Sequence, residues 1–377
     1  MAIDDRDWLY SFILLFGVGR KTIRNLYQQF GSFDFISEKL TDEQAQMLGI
    51  VPAKLNLIRQ VTPEKVKWDQ QNRMKAGITF VSMFDKEYPT LLSHIADPPL
   101  LLFYNGNLDL LDRMAIGVVG TRKPTAYGRS ACQYFVQRLC AAGVVIVSGL
   151  AAGIDAEAHR VALRQGGETI AVLGCGIDQI YPRQNHMLYQ EIASKGLLLS
   201  EYPPGVEPRP GLFPERNRII SGLSRGVLIV EAAERSGSLI TADLAVEQGR
   251  EVFSVPGPIF SGTSMGSNAL IKQGAKLVTS IEDIVEEFPD LMGKTVIKIE
   301  EFEKIIVTQE ETTLLSLFSD EPLHWDELYS ALPKDLQQWI DRDLVRLEAK
   351  GLIESLPGGY YVKCTDRKFS LQEKFDK

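Results

Sequence analysis

Cysteine and histidine are scarce, with four of each among 377 residues. No two cysteines form a C-x-x-C pair, and no histidine stands at zinc-ligand spacing from Cys132, Cys140, Cys175 or Cys364. A zinc site is therefore not expected, and the four read as reduced thiols used as small core residues. No apolar run reaches the roughly 18 residues a membrane span needs, so no membrane partner is expected. The first ten residues are acidic (Asp4, Asp5, Asp7) and lack the basic start of a signal peptide, which points to the cytoplasm. A basic excess is missing too: the net charge is −8. It is unevenly placed. Residues 1–257 hold 27 basic and 27 acidic side chains, and residues 258–377 hold 14 against 22. Nucleic-acid binding would thus depend on where individual arginines stand, not on bulk charge. With 45% hydrophobic and 24% charged residues, the composition excludes bulk disorder, and the length suggests two or three domains.

What is present falls into three regions. Residues 1–77 show helical periodicity over 8–16, 21–30, 41–48, 52–62 and 62–76, joined by glycine-containing turns. Residues 78–287 alternate apolar β-rich runs with helical stretches. The runs are 115–119, 144–148, 169–173, 197–201, 227–230, 251–255 and 276–279. Several are apolar throughout, such as Val144-Val145-Ile146-Val147. Continuous apolar strands separated by helices predict an α/β fold with a mostly parallel, doubly wound, Rossmann-like sheet covered on both faces. A charged linker at 288–307 leads to residues 308–365, where helices at 312–318, 325–331 and 335–350 precede a short hairpin. That order is the order of a winged helix. A tail, 366–377, follows.

Ligands of doubly wound sheets bind outside the carboxyl ends of the strands, so the segments after each strand carry the functional reading. They are Gly120-Thr121-Arg122-Lys123, Ser148-Gly149-Leu150-Ala151-Ala152-Gly153-Ile154-Asp155, Tyr181-Pro182-Arg183, Phe213-Pro214-Glu215-Arg216-Asn217-Arg218 and Ser236-Gly237-Ser238. Gly149 to Gly153 and Ser236 to Ser238 each precede a helix, where free N–H groups and the helix dipole favour phosphate. Either loop alone is equally well a tight strand-to-helix turn. Arg122, Arg183, Arg216 and Arg218 on one rim suit a polyanion better than a small metabolite. Tyr127, Tyr181 and Phe213 are candidates for stacking on bases, and equally for the core.

Competing chemistries are poorly supplied. The first strand reads Gly117-Val118-Val119-Gly120-Thr121-Arg122, which lacks the G-x-G-x-x-G spacing of a dinucleotide fold. No Walker A pattern and no G-x-S-x-G elbow occurs. His159 and His186 read as capping, packing or phosphate-binding residues before they read as bases. Glu201 and Glu231 end neighbouring strands; structural bonding to loop N–H groups or to the arginines is preferred over a catalytic carboxylate pair. No catalytic residue, cofactor or metal is expected. At the N-terminus, Gly17-Val18-Gly19-Arg20-Lys21 is a helix-hairpin-helix signature: either a phosphate-binding turn, with Arg20, Lys21 and Arg24 nearby, or a packing module that keeps the turn. Residues 305–365 hold five basic and eleven acidic residues, so the C-terminal helices would be repelled by phosphates and are expected to bind protein.

Taken in order, Val119-Gly120-Thr121-Arg122, Ser148-Gly149-Leu150-Ala151-Ala152-Gly153-Ile154-Asp155-Ala156 with His159, Phe213-Pro214-Glu215-Arg216-Asn217-Arg218, Ser236-Gly237-Ser238-Leu239-Ile240-Thr241 and Val255-Pro256-Gly257 resemble the DNA-processing protein A (DprA/Smf) family over residues 80–287. The helical N-terminus is similar to that family's SAM-like extension, and the winged helix to one that many members carry. The resemblance implies a single-stranded DNA-binding protein of natural transformation, not an enzyme. Such proteins form a homodimer through the Rossmann-like domain, protect incoming strands and help load the recombinase RecA. It implies DNA-backbone contacts from Arg122 and Arg183. The sequence departs from the family at Ala152, where the family commonly has Arg.

The expected DNA-binding residues are Arg122, Lys123, Ser148, Gly149, Gly153, Arg183, Arg216, Asn217, Arg218, Ser236, Gly237 and Ser238. The alternative is a nucleotide enzyme of the phosphoribohydrolase type. Its P-G-G-x-G-T-x-x-E loop would fall at Ser236-Gly237-Ser238-Leu239-Ile240-Thr241, which lacks the glutamate. A third reading is a protein-interaction adaptor, motivated by the acidic C-terminal region.

Overall fold

Short runs of Val, Ile and Leu form the buried strands of the sheet. A computed structural model describes residues 3–289, 305–319, 322–350, 352–363 and 369–371. The chain divides into two compact units, Met1–Asp290 and Leu291–Lys377.

The first unit opens with six helices: α1 (Asp5–Ile13), α2 (Arg20–Phe30), α3 (Phe33–Glu38), α4 (Asp42–Met47), α5 (Pro52–Ile58) and α6 (Pro63–Lys75). Their starts are written in the sequence. The Asp4, Ser32, Thr41 and Thr62 side chains accept the N–H three residues on, and proline opens α5 and α6. There follow β1 (Thr79–Ser82), α7 (Thr90–Ser93), β2 (Leu101–Gly106), β3 (Ala115–Val119), α8 (Ala126–Ala141), β4 (Val145–Ser148), α9 (Ile154–Arg164), β5 (Thr169–Leu173), α10 (His186–Lys195), β6 (Leu197–Ser200), α11 (Leu212–Leu223), β7 (Gly226–Ile229), α12 (Gly237–Glu247), β8 (Glu251–Ser254), α13 (Met265–Lys272), β9 (Lys276–Leu277) and α14 (Glu282–Val285).

The strands make one nine-stranded sheet in the order β1-β2-β6-β5-β4-β3-β7-β8-β9. From β6 to β9 all neighbours are parallel; β1 and β2 are added antiparallel at the β6 edge. Strand order reverses between β3 and β7, so the doubly wound reading holds and the switch point lies there. Both faces are covered. Val145, Val147, Ile170, Val172 and Leu199 pack with Ile219, Ile220 and Leu223 of α11 and Ala242 and Ala245 of α12. Ala171, Leu173 and Leu198 pack with Ala156 and Leu163 of α9 and Leu188 and Ile192 of α10. Fully burying one such side chain contributes about 1.5–3 kcal/mol.

The expected boundary at 77/78 is a change of element type and not a break in packing. Trp8, Leu9 and Phe12 of α1 and Ile23 and Leu26 of α2 share one core with Phe80 of β1 and Leu101 and Phe103 of β2. The Tyr10 ring stacks on Phe80 with centroids 5.4 Å apart.

The second unit has helices Gln309–Leu315, Trp325–Ala331, Lys334–Gln337 and Ile340–Ala349, and strands Leu323–His324, Ile353–Leu356 and Tyr360–Lys363. These three strands form an antiparallel sheet with Tyr360–Lys363 in the middle. Its core is its own, built on Leu314, Leu315, Leu328, Leu344, Leu347 and Ile353. The single helix expected over 335–350 is broken after Gln337. The helix expected from 312 starts at Gln309, because Thr308 and Glu311 form a reciprocal capping box. Much of the expected linker 288–307, Cys364 and the tail 366–377 lie outside the described residues, apart from the strand pair Ile305–Val307 and Phe369–Leu371. Among the described residues no helix is long and apolar enough to cross a membrane.

Candidate nucleic-acid interface

At the switch point the β3 loop is pinned between β7 and α9. The Thr121 N–H donates to the Glu231 carbonyl at 2.7 Å, and the Ile154 N–H donates to the Thr121 carbonyl at 3.1 Å. Gly120 and Gly153 permit this approach. A Cβ on Gly120 would lie 2.8 Å from the Ile154 side chain, and one on Gly153 would meet the Thr121 carbonyl and sit 2.7 Å from the Arg122 Cα. Gly153 also has φ +88°, a region side-chain-bearing residues avoid. The chain then turns outward, and Arg122 and Lys123 stand exposed.

Beside this loop lies a cleft of about 350 Å³. Gly120, Thr121 and Arg122 line it from β3, and Ala151 and Asp155 from the β4 loop. Phe213, Pro214, Arg216 and Asn217 line it from α11, and Ser236, Gly237 and Ser238 from the start of α12. Ser236 caps α12: its Oγ accepts the Ser238 N–H at 3.3 Å and lies 2.7 Å from the Ser238 Oγ. Asn217 donates Nδ2 to the Gly237 carbonyl at 3.5 Å, joining α11 to that turn. Arg183 stands exposed on the turn Arg183–Asn185. Two residues before it, Tyr181 stacks on Phe213 with centroids 5.2 Å apart. Tyr127 instead donates its hydroxyl to the Pro256 carbonyl at 2.6 Å.

The other expected contacts are engaged inside the protein. The Asp155 carboxylate accepts the Gly149 backbone N–H at 3.2 Å. One donor of the glycine loop, the Gly149 N–H, is thus turned onto the chain's own carboxylate. Burial raises the Asp155 pKa, against the opposing pull of Arg216 and backbone N–H groups. Arg216, only 4% exposed, donates to the carbonyls of Gly149, at 2.8 Å, and Val172. It lines the cleft, but as a strut between α11, β4 and β5. Arg218, 7% exposed, pairs with Glu201 at 2.6 Å and Asp97 at 3.4 Å. Ser148 is buried and donates Oγ to the Val118 carbonyl at 2.6 Å. Arg218 and Ser148 are thus engaged in bonds within the protein.

At the N-terminus, Arg20 and Arg24 beside the helix-hairpin-helix signature are paired with Asp97 at 3.0 and 2.5 Å, so these two guanidiniums are engaged inside the protein; Lys21 stays exposed. His159 is buried with Nδ1 2.6 Å from the Thr169 Oγ1, and burial pushes its pKa down to about 3. Glu231 accepts from the Thr125 N–H at 2.9 Å and the Thr263 hydroxyl at 2.6 Å. Glu201 is held by Arg218 and Arg20. The two carboxylates thus do the structural work preferred for them, and neither histidine lines the cleft. Among the described residues no cluster of three or more His, Cys, Asp or Glu forms a metal site.

Of the exposed cations only Arg122 lines the cleft, with Phe213 and the serine-capped start of α12; Lys123 follows Arg122 and Arg183 lies two residues beyond Tyr181, both exposed, and Tyr181 reaches the cleft residues by stacking on Phe213. That set can hold an anionic, base-bearing chain. The family model described as DNA recombination-mediator protein A matches residues 79–289. The chain belongs to that family, DprA/Smf. The resemblance carried by the motifs is borne out. The DNA processing protein DprA of Bacillus subtilis (strain 168) is 49% identical over 215 residues, which cover 57% of this chain and 72% of that protein. Protein Smf of Escherichia coli (strain K12) is 42% identical over 281 residues, covering 72% and 74%. The crystal structure of DprA from Streptococcus pneumoniae aligns with a TM-score of 0.65 at 39% identity, over 76% of this chain and 99% of that one. DNA processing protein A from Helicobacter pylori, whose structure concerns its single-stranded DNA binding mode, aligns with a TM-score of 0.51 at 34% identity, over 56% and 96%. As a DprA/Smf member the chain is a DNA-processing protein and not an enzyme, which removes the phosphoribohydrolase alternative.

Proposed function

We propose that the cleft binds single-stranded DNA without regard to sequence, in natural transformation and recombination, and that the chain shields the strand and helps load RecA. Arg122, Lys123 and Arg183 take backbone phosphates, the Ser236–Ser238 turn at the start of α12 offers further polar contacts, and the Tyr181–Phe213 pair stacks on a base. The observation that carries this reading is the division among cations: Arg216 and Arg218 are buried in internal bonds, whereas Arg122, Lys123 and Arg183 are exposed. A homodimer would put two clefts on one strand and raise avidity through effective concentration. The acidic second unit, read as a winged helix, binds a protein.

The test is fluorescence anisotropy of labelled oligo-dT and a matching duplex over a salt series. Single-strand preference and a steep fall of affinity with salt are expected. Arg122→Ala should weaken binding and lower the salt slope by about 0.7, the value of one lost phosphate contact on a single strand. Unchanged affinity and slope in both Arg122→Ala and Arg183→Ala would refute the cleft assignment.

A further inference from the structure

Helix α11 has two working faces. Phe213, Pro214, Arg216 and Asn217 line the DNA cleft. Glu215 and Arg218, three residues apart and so on one side of the helix, enter a cluster of charges on the other side. The cluster alternates in sign. The Arg20 Nη2 lies 2.5 Å from the Glu215 Oε1 and 3.0 Å from the Asp97 Oδ2, and its Nη1 lies 3.3 Å from the Glu201 Oε2. Arg24 also binds Asp97, and Arg218 bridges Glu201 and Asp97. Three guanidiniums meet three carboxylates, so the cluster is balanced. The Glu215 carboxylate also accepts the Tyr202 hydroxyl at 3.0 Å.

Arg20 is the first residue of α2, set by the Gly17-Val18-Gly19 turn. That turn thus presents a guanidinium to the first turn of α11. Glu215 is the outermost acid of the cluster, 37% exposed against 8% for Glu201. It is therefore the member least needed for packing and the one nearest in sequence to the cleft residues.

We propose that Arg20 is a positioning residue for the DNA cleft: through Glu215 it fixes the first turn of α11, so that the N-terminal helices set the placement of Phe213, Arg216 and Asn217. This rests on the cleft being the DNA site. Arg20 itself touches no DNA. Losing the pair therefore loosens the cleft without removing a phosphate contact.

The full-length chain carrying Glu215→Gln, Arg20→Gln, Arg20→Lys or the double change Arg20→Gln/Glu215→Gln is titrated into labelled oligo-dT across a salt series, beside wild type and Arg122→Ala, with thermal melts of each. Glu215→Gln keeps the shape and the Tyr202 acceptor and leaves Arg20 on Asp97 and Glu201, so it tests the link even where Arg20→Gln folds poorly. Each Gln variant should bind about three- to tenfold more weakly, with the double no weaker than the worse single, as one shared interaction requires. Arg20→Lys should recover part of the loss, and the salt slope should stay at the wild-type value. Wild-type affinity in Glu215→Gln, with or without a lowered melting temperature, overturns the proposal. So does a slope reduced in Arg20→Gln as it is in Arg122→Ala, since that places Arg20 on a phosphate. Loss of binding in neither Arg122→Ala nor wild-type controls at raised salt would instead remove the cleft reading, and this inference with it.

Discussion

Burial decides what each charged side chain can do. Arg122 and Arg216 both line the cleft, yet they make opposite predictions. Arg216 is enclosed, holds two carbonyls and faces the buried Asp155 carboxylate. Arg216→Ala leaves those two buried carbonyls without their donor, at a cost of about 1–3 kcal/mol each. A large fall in melting temperature is expected there and none in Arg122→Ala; equal melts would refute the strut role. His159 gives a pH prediction. Thr169 donates its hydroxyl to the Ile146 carbonyl at 2.8 Å, so the Nδ1–H of His159 donates to Thr169, and Nε2 has no partner. Burial lowers the ring's pKa from 6.5 to about 3. The unfolded chain therefore takes up this proton first as pH falls. The stability contributed by the neutral ring is complete above pH 6.5 and is lost progressively toward pH 3. Asp97, lowered from 3.8 to about 2 because its arginines outweigh the desolvation of burial, adds its own loss only as pH falls from 3.8 toward about 2. Between pH 6.5 and 4.5 the urea midpoint should thus fall less steeply in His159→Gln than in wild type. Parallel midpoint curves would show that the buried imidazole does not titrate in this way.

At the scale of elements, the sheet edge is built by close approach. Gly153→Ala would place a methyl on the Thr121 carbonyl at a positive φ, costing about 1–3 kcal/mol in backbone strain alone. Because the displaced segment carries Arg122, oligo-dT affinity should fall together with the melting temperature. A loss of stability with unchanged affinity would separate the two loops. The same elements show what the sequence can disclose. β3 to β8 were legible because strands buried on both faces are continuous apolar runs, as in Val145-Ile146-Val147. β1 and β2 were not, since an antiparallel addition at an edge has no crossover helix to announce it. The site residues on the β3 loop were legible because Gly120 and Arg122 are neighbours in sequence. The fate of the arginines was not. Arg20 meets Glu201 across 181 positions, and no local pattern distinguishes the paired Arg218 from the free Arg183. The glycine loop at 149–153 is ambiguous in sequence for a related reason: a nest of N–H groups reads the same whether a ligand or the chain's own carboxylate takes a donor, as Asp155 takes the Gly149 N–H here.

For the whole molecule the question is what the acidic end does to a DNA-binding protein. Residues 291–377 carry 12 basic and 17 acidic side chains, so they hold most of the net −8. They form a unit with its own core, and the first unit keeps its sheet and helical layers without them. A chain ending at residue 290 should therefore fold and melt cooperatively. It should also bind oligo-dT at least as tightly as the full chain, because no described cleft residue is lost and a repulsive charge is removed. The gain belongs to the long-range field, so it should be largest at low salt and vanish near physiological ionic strength, where the screening length is about 8 Å. A tenfold loss of affinity on truncation would mean that the second unit touches DNA despite its charge. Retained affinity would show that strand binding belongs to the first unit, whose cleft carries the exposed Arg122.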